Sequence, residues 1–166
     1  MTEPARRPLA SPEGGLRRPT VLVADDYPEN RRLLYFYLRD RYEVLQVATA
    51  EEAVAVLRER QAAGAPVAVA VLDLNFCDGM NGIEAVQAIR RDPLIAAVRT
   101  LALTAYAYPD DRDRCLEAGF DDYVSKPVFK AGLLEKLDGL LGAQPLGDGA
   151  SGEPGAVWIS RPDKGV

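Results

Sequence analysis

The sequence predicts a doubly wound α/β fold, a five-stranded parallel sheet in the order 2-1-3-4-5 with helices on both faces. Three observations lead there. Short apolar runs, most of them containing β-branched valine, recur at 21–24, 67–72, 101–103 and 123–124, and runs of that length read as strands buried on both faces. Stretches with helical spacing separate them, the alternation that builds βαβ units. Each run also ends on residues able to handle a metal or a phosphoryl group: Asp25-Asp26, Asp73, Thr104 and, through Ser125, Lys126-Pro127. In open α/β sheets ligands bind outside the carboxyl ends of the strands, beside the point where the connections reverse direction.

The elements follow in order. Strand β1 is expected over about 20–25, and helix α1 from about Pro28, where proline suits a first turn; Leu33, Leu34, Tyr37 and Leu38 form its apolar side. Strand β2 covers about 43–47. Thr49-x-x-Glu52 reads as a capping box for helix α2, which runs to about Ala62 with Ala53, Val56 and Leu57 inward. Gly64 and Pro66 end that helix and open strand β3 at 67–73. The segment 75–82, with two glycines, two asparagines and an aspartate, is a loop. Helix α3 then spans 83–91 and is closed by Asp92-Pro93. Strand β4 lies at 99–103, a loop at 105–109, and helix α4 at 109–118, stopped by Gly119. Strand β5 covers about 122–125. Helix α5, about 130–141, places Leu133, Leu134, Leu137, Leu140 and Leu141 on one side.

Composition bounds the rest. At 166 residues the chain holds one domain, expected over 19–142, with flanks at 1–18 and 143–166. Those flanks lack periodicity and are rich in Pro, Gly and Arg or Asp, so a disordered arm and tail are expected; Val157-Trp158-Ile159 is the one apolar island in the second. A net charge of −5 argues against nonspecific nucleic-acid binding, which neutralises phosphates. No apolar stretch is long enough to span a bilayer, and no secretory signal is legible. Cys77 and Cys115 match no metal or redox spacing, and a cytoplasmic location with reduced thiols is expected. The chain has no histidine. Ser-His-Asp catalysis, His-ligated zinc and His-based pH switching are thereby excluded, and any phosphohistidine donor must belong to another protein.

The strand-end residues form a coherent chemical set. Asp25, Asp26 and Asp73 follow neighbouring strands, and three carboxylates that close repel unless a cation offsets them. Mg²⁺ suits the place: it is a hard ion that takes oxygen ligands, keeps several waters and coordinates substrate phosphate. Asp73 is the best nucleophile, since a carboxylate can attack phosphorus to give an aspartyl phosphate. Thr104 and Lys126 would meet the transferred phosphoryl oxygens, which carry the transition-state charge. A cis Lys126–Pro127 bond would direct the ammonium over the strand ends.

The motifs resemble those of a two-component response-regulator receiver domain. Val-Ala-Asp-Asp-Tyr-Pro-Glu-Asn-Arg-Arg-Leu-Leu at 23–34, Asp73-Leu74-Asn75, Leu103-Thr104-Ala105 and Ala-Gly-Phe-Asp-Asp-Tyr-Val-Ser-Lys-Pro at 118–127 are similar to that family's motifs and stand in its order. The resemblance implies a (βα)5 flavodoxin-like fold and a phosphoacceptor signalling protein rather than an enzyme. It implies Asp73 as phosphoacceptor, Mg²⁺ held by Asp25, Asp26, Asp73 and the Asn75 backbone carbonyl, and phosphoryl binding by Thr104 and Lys126. Thr104 and Tyr123 would form the switch that reports phosphorylation to the α4–β5–α5 face. The implied partners are a sensor histidine kinase or histidine phosphotransfer protein and a downstream protein target on that face, with a homodimer left open. No DNA-binding output domain is legible, so a single-domain receiver in a phosphorelay is expected.

One stretch departs from the family pattern. After the acceptor the family usually carries a Met-Pro loop closing on Asp-Gly, whereas here it reads Phe76-Cys77-Asp78-Gly79-Met80-Asn81-Gly82, one residue longer and without the proline. Tyr106 would either shield the phosphoryl group from water or stand as a surface aromatic, and Asn75 could position an attacking water. Two other readings use much of the same chemistry. An aspartate-nucleophile phosphatase of the haloacid-dehalogenase type needs a second aspartate where Asn75 stands, and its motifs run in a different order. A phosphorylation-independent receiver-like binding module would have been signalled by loss of Asp73 or Lys126, and both are present.

Overall fold

Strands that are apolar on both faces must be covered on both faces, and that requirement sets this architecture. In a computed structural model, which describes residues 17–105 and 109–142, five strands alternate with five helices. They are β1 (Thr20–Ala24), α1 (Pro28–Leu38), β2 (Glu43–Val47), α2 (Ala50–Ala62), β3 (Val69–Asp73), α3 (Gly82–Arg91), β4 (Arg99–Thr104), α4 (Pro109–Ala118), β5 (Asp122–Ser125) and α5 (Lys130–Leu141). All strand pairs are parallel and the order is β2-β1-β3-β4-β5, as the sequence predicts. Residues 1–16 and 143–166, with Val157-Trp158-Ile159, and Tyr106 lie outside the described residues, while Arg18 of the first flank is described and donates from Nη1 to the Arg39 carbonyl at 2.9 Å.

Residues of β1 and β3 are buried throughout, whereas the edge strands β2 and β5 are half-exposed. Alternation along each strand divides the core in two. Leu22, Ala24, Ala70, Leu72 and Ala102 face α2, α3 and α4. Val21, Val23, Val69, Val71, Leu101 and Leu103 face Leu34 and Leu38 of α1 and Leu133 and Leu137 of α5.

Boundaries agree with the sequence reading to within two residues. β3 enters its ladder at Val69 rather than 67, because its pairing with β1 begins at Val21↔Val69, just after the Ala68 N–H donates to the Thr20 carbonyl at 2.8 Å. The expected capping box of α2 is half formed: Thr49 Oγ1 accepts from the Glu52 amide at 3.1 Å, but Glu52 reaches back to the Ala48 amide, not to Thr49. Leu33 is a correction. It is 43% exposed, since Leu33 and Leu34 are adjacent and about 100° apart around the helix, so only Leu34 can face the sheet.

Arg90, on the last turn of α3, ties this layer together. Its five N–H groups all donate: Nε to the Gly119 carbonyl at 2.9 Å, Nη1 to the Ala96 and Val98 carbonyls at 2.8 Å each, and Nη2 to Thr100 Oγ1 at 2.8 Å and Asp121 Oδ2 at 2.9 Å. Gly119 ends α4 with φ of 122°, and a Cβ there would press on Arg90 Cγ at 3.0 Å, so glycine serves both the turn and the close approach. One side chain thus fixes the α3–β4 connection against the α4–β5 turn. Arg90→Ala should lower unfolding free energy by about 2–3 kcal/mol, the cost of stranding a nearly buried partner carboxylate and several carbonyls. Urea denaturation measures it, and a loss under about 0.5 kcal/mol would contradict this role.

Candidate metal centre

Register brings the functional side chains to one edge. Ala24 pairs with Leu72, Asp73 with Leu103, and Thr104 with Ser125. The residues that follow or close these strands therefore share the carboxyl end of the sheet. Asp25, Asp26 and Asp73 each offer one carboxylate oxygen, and these atoms lie within 4.8 Å of one another. Lys126 Nζ bridges two of the three, at 2.9 Å from Asp73 Oδ2 and 3.3 Å from Asp25 Oδ2. The Lys126–Pro127 bond is cis, and the Lys126 amide donates to the Thr104 carbonyl at 2.7 Å.

Asp25 is fully buried and accepts from the Tyr27 amide at 2.9 Å and from Asn30 Nδ2 at 3.1 and 3.4 Å. Asp73 is 2% exposed, and its Oδ1 accepts from the Asn75 amide at 3.0 Å. Asp26 Oδ2 accepts from the Cys77 amide at 2.8 Å, while its Oδ1 is buried without a hydrogen-bond partner. Burial pushes the Asp73 carboxyl above the usual range and Asp25 adds repulsion, against the opposing Asn75 amide and Lys126 ammonium. Burial also acts to raise Asp26, but donors from Cys77 prevail and hold it below its ordinary value. For Lys126, burial disfavours the charge, yet Asp73 and Asp25 outweigh it and the pKa rises.

This donor set fits a hard divalent cation. Three carboxylate oxygens converge, one Asp26 oxygen is buried and orphaned, and burial makes an unpaired charge there costly. Asp25, Asp26 and Asp73 are thus capable of coordinating a cation such as Mg²⁺.

The other predicted residues take distinct places. Thr104 is fully buried at the end of β4. Asn75 is exposed and engages Asp73 through its amide. Tyr123 sits half-buried on edge strand β5, away from the carboxylates. Among the described residues, sequence reasoning missed several supports. Asn30 braces Asp25, although its place in the first turn of α1 was a usable signal. Asn81 caps α3 in a complete capping box with Glu84, a pattern legible as Asn-x-x-Glu. Gly82 leaves no room for a side chain, because a Cβ would collide with the Asp73 carbonyl oxygen and Leu74 Cα. The lengthened loop is held by the Cys77–Asp26 bond, by Met80 N–H to Glu51 Oε1 at 2.7 Å and by Gly82 N–H to the Leu74 carbonyl at 3.1 Å.

Comparison with known proteins agrees with the fold and the site. Residues 21–138 match the response regulator receiver domain family, and the chain belongs to it. It is 38% identical over 109 residues to an uncharacterized 14.6 kDa protein of Leptolyngbya boryana, covering 65% of this chain and 79% of that one. It is 36% identical over 124 residues to the transcriptional regulatory protein AruR of Pseudomonas aeruginosa, covering 74% of this chain but only 49% of AruR. The chain therefore spans about half the length of that regulator. Among solved structures, it superposes with a TM-score of 0.67 and 29% identity on the receiver domain of the sensor histidine kinase PA1611 of P. aeruginosa, which holds a magnesium ion in its active-site cleft. That match covers 76% of this chain and 99% of the solved one. Family membership makes this a two-component signalling domain with the role of a phosphorelay acceptor, rather than a stand-alone enzyme, and points to a histidine-kinase-type partner. No described helix is long and apolar enough to cross a membrane.

Asp26→Asn should weaken Mg²⁺ binding sharply while leaving the fold intact. Outer-shell partners of a metal are alone worth about 10–100-fold in affinity, so loss of a direct ligand should cost at least that. Calorimetric titration of both proteins with Mg²⁺ checks it, and equal affinities would remove Asp26 from the metal centre.

Proposed function

We propose that Asp73 accepts a phosphoryl group from a phosphohistidine on a kinase-type partner. The observation that carries this reading is the state of the Asp73 carboxylate. It is buried at a strand end, touched by the Asn75 amide on one oxygen and by the Lys126 ammonium on the other. In the transfer an Asp73 oxygen forms a bond to phosphorus, the P–N bond of the donor breaks, and its electron pair stays on the imidazole nitrogen. None of these 166 residues is a histidine, so the donor histidine lies outside them.

Asp25, Asp26 and Asp73, with the Asn75 backbone carbonyl, would hold Mg²⁺, which when bound supplies positive charge against phosphoryl oxygens. Lys126 releases Asp73 and meets a phosphoryl oxygen, keeping its half-buried charge paired. Thr104, at the end of the adjoining strand, offers its hydroxyl to a second. Asn75 would orient an attacking water in the reverse hydrolysis, and Tyr106 would shield the group from water. The folding unit is taken as residues 19–142, and a cytoplasmic location fits the two free cysteines.

The surface beside the acceptor supports docking of the kinase-type partner there. A cleft of about 150 Å³ runs from Asp25 and Lys126 past Leu33, Pro127 and Val128. Leu33, Phe36 and Phe129 stand exposed around that region, so the exposure of Leu33 acquires a use. The downstream target would read the α4–β5–α5 face, through Thr104 and Tyr123.

Incubation with acetyl phosphate and Mg²⁺ should add one phosphoryl group by intact mass, and Asp73→Ala should abolish it. Undiminished labelling of Asp73→Ala would place the acceptor elsewhere. Lys126→Ala should stay folded yet lose the amide-shift response at 122–125 on phosphorylation, and a normal response there would remove Lys126 from the switch.

A further inference from the structure

Edge strand β5 carries a strap that the reading above does not use. Lys136, on the second turn of α5, sends its ammonium around the open edge of the sheet. Nζ donates to both oxygens of Asp122 at 3.0 Å each and stands 5.6 Å from the centroid of the Tyr123 ring. A cation over an aromatic face at that distance is attracted by the ring quadrupole, and the two-point grip on Asp122 fixes where the cation sits. Asp122 in turn accepts from the Tyr123 amide at 2.8 Å. Ring, backbone and cation are thus tied to one carboxylate.

The register connects this strap to the phosphoacceptor end. Tyr123 pairs with Ala102 and Ser125 with Thr104, so Tyr123 and Thr104 lie diagonally on one face of neighbouring strands. Diagonal neighbours are within reach of an aromatic side chain. A shift of Thr104 toward a phosphoryl group changes the space beside the ring that Lys136 holds. The ring itself packs against the α2–α3–α4 side of the core, while Lys136 comes from the α5 side, so the contact also bridges the two layers at the sheet edge.

We infer that Lys136 is a positioning residue for the switch: it latches Tyr123 in the resting arrangement and must release the ring when Asp73 is phosphorylated. This inference rests on the phosphoacceptor reading. Lys136 touches neither acceptor nor metal ligands, so its loss changes the balance between resting and active arrangements and leaves the chemistry in place. A cation–π contact at a part-exposed site is worth about a two- to fivefold shift in an equilibrium. Lys136→Met keeps the stem that packs on the sheet edge and removes the charge, while Lys136→Arg keeps the cation.

The test compares amide shifts of residues 122–125 in wild type, Lys136→Met and Lys136→Arg, each with Mg²⁺ alone and with Mg²⁺ plus beryllofluoride as a mimic of the phosphoryl group. The latch predicts that Lys136→Met with Mg²⁺ alone lies on the line joining the two wild-type positions, displaced toward the beryllofluoride end. It also predicts labelling by acetyl phosphate about two- to fivefold faster than wild type, with Lys136→Arg restored to wild-type behaviour. A wild type that responds while Lys136→Met rests at the wild-type position, or moves off that line, overturns the latch and leaves the phosphoacceptor reading standing. A wild type that fails to respond to beryllofluoride overturns that reading, and the latch with it.

Discussion

Burying two carboxylates side by side is the constraint on which the rest of this structure depends. Asp25 and Asp73 are 0% and 2% exposed, and like charges this close, removed from water, destabilise a fold unless a cation and donors offset them. Lys126 supplies the cation, at 2.9 and 3.3 Å, and the Tyr27, Asn75 and Asn30 donors supply the rest. The compensation is incomplete at Asp26, whose second oxygen stays buried and unpartnered. A centre tuned only for stability would have filled that position with a donor. Its incompleteness leaves the carboxylate cluster able to coordinate a divalent cation.

The same lysine links the site to the sheet. Its amide is held by the Thr104 carbonyl and its ammonium by two strands farther in, so it spans β1, β3 and β4 from the end of β5. Displacement of the ammonium therefore reaches several strand ends together. Arg90 holds the α4–β5 turn from the other side, and Tyr123 follows that turn on β5, between it and Lys126.

Much of this was legible in the sequence, and the physical reason differs by element. Each central strand carries an unbroken apolar run, at 21–24, 69–72 and 101–103, so β1, β3 and β4 announced themselves, and each terminal Asp, Thr or Lys was conspicuous because it interrupted or followed such a run. Helical periodicity gave α1 to α5, but it cannot tell which of two adjacent leucines faces in, and Leu33 was misplaced for that reason. Asn81-x-x-Glu84 is readable as a cap, though the glycines on either side of Asn81 give the stronger signal of a loop. Arg90 and Gly82 were not readable. Their partners come from segments distant in sequence, Arg90 reaching Gly119 and Asp121 and Gly82 lying against the Asp73 backbone, and no local pattern encodes such an encounter.

If Lys126 stands in for positive charge the carboxylates need, it competes with a bound cation. Calorimetric Mg²⁺ titration of wild type and Lys126→Met at one ionic strength tests this directly. The variant should bind tighter, by about tenfold, because a cation within about 3 Å of two ligand carboxylates no longer opposes the ion. Equal or weaker binding by Lys126→Met would contradict it, and would make the lysine a support for the carboxylates rather than a rival of the metal.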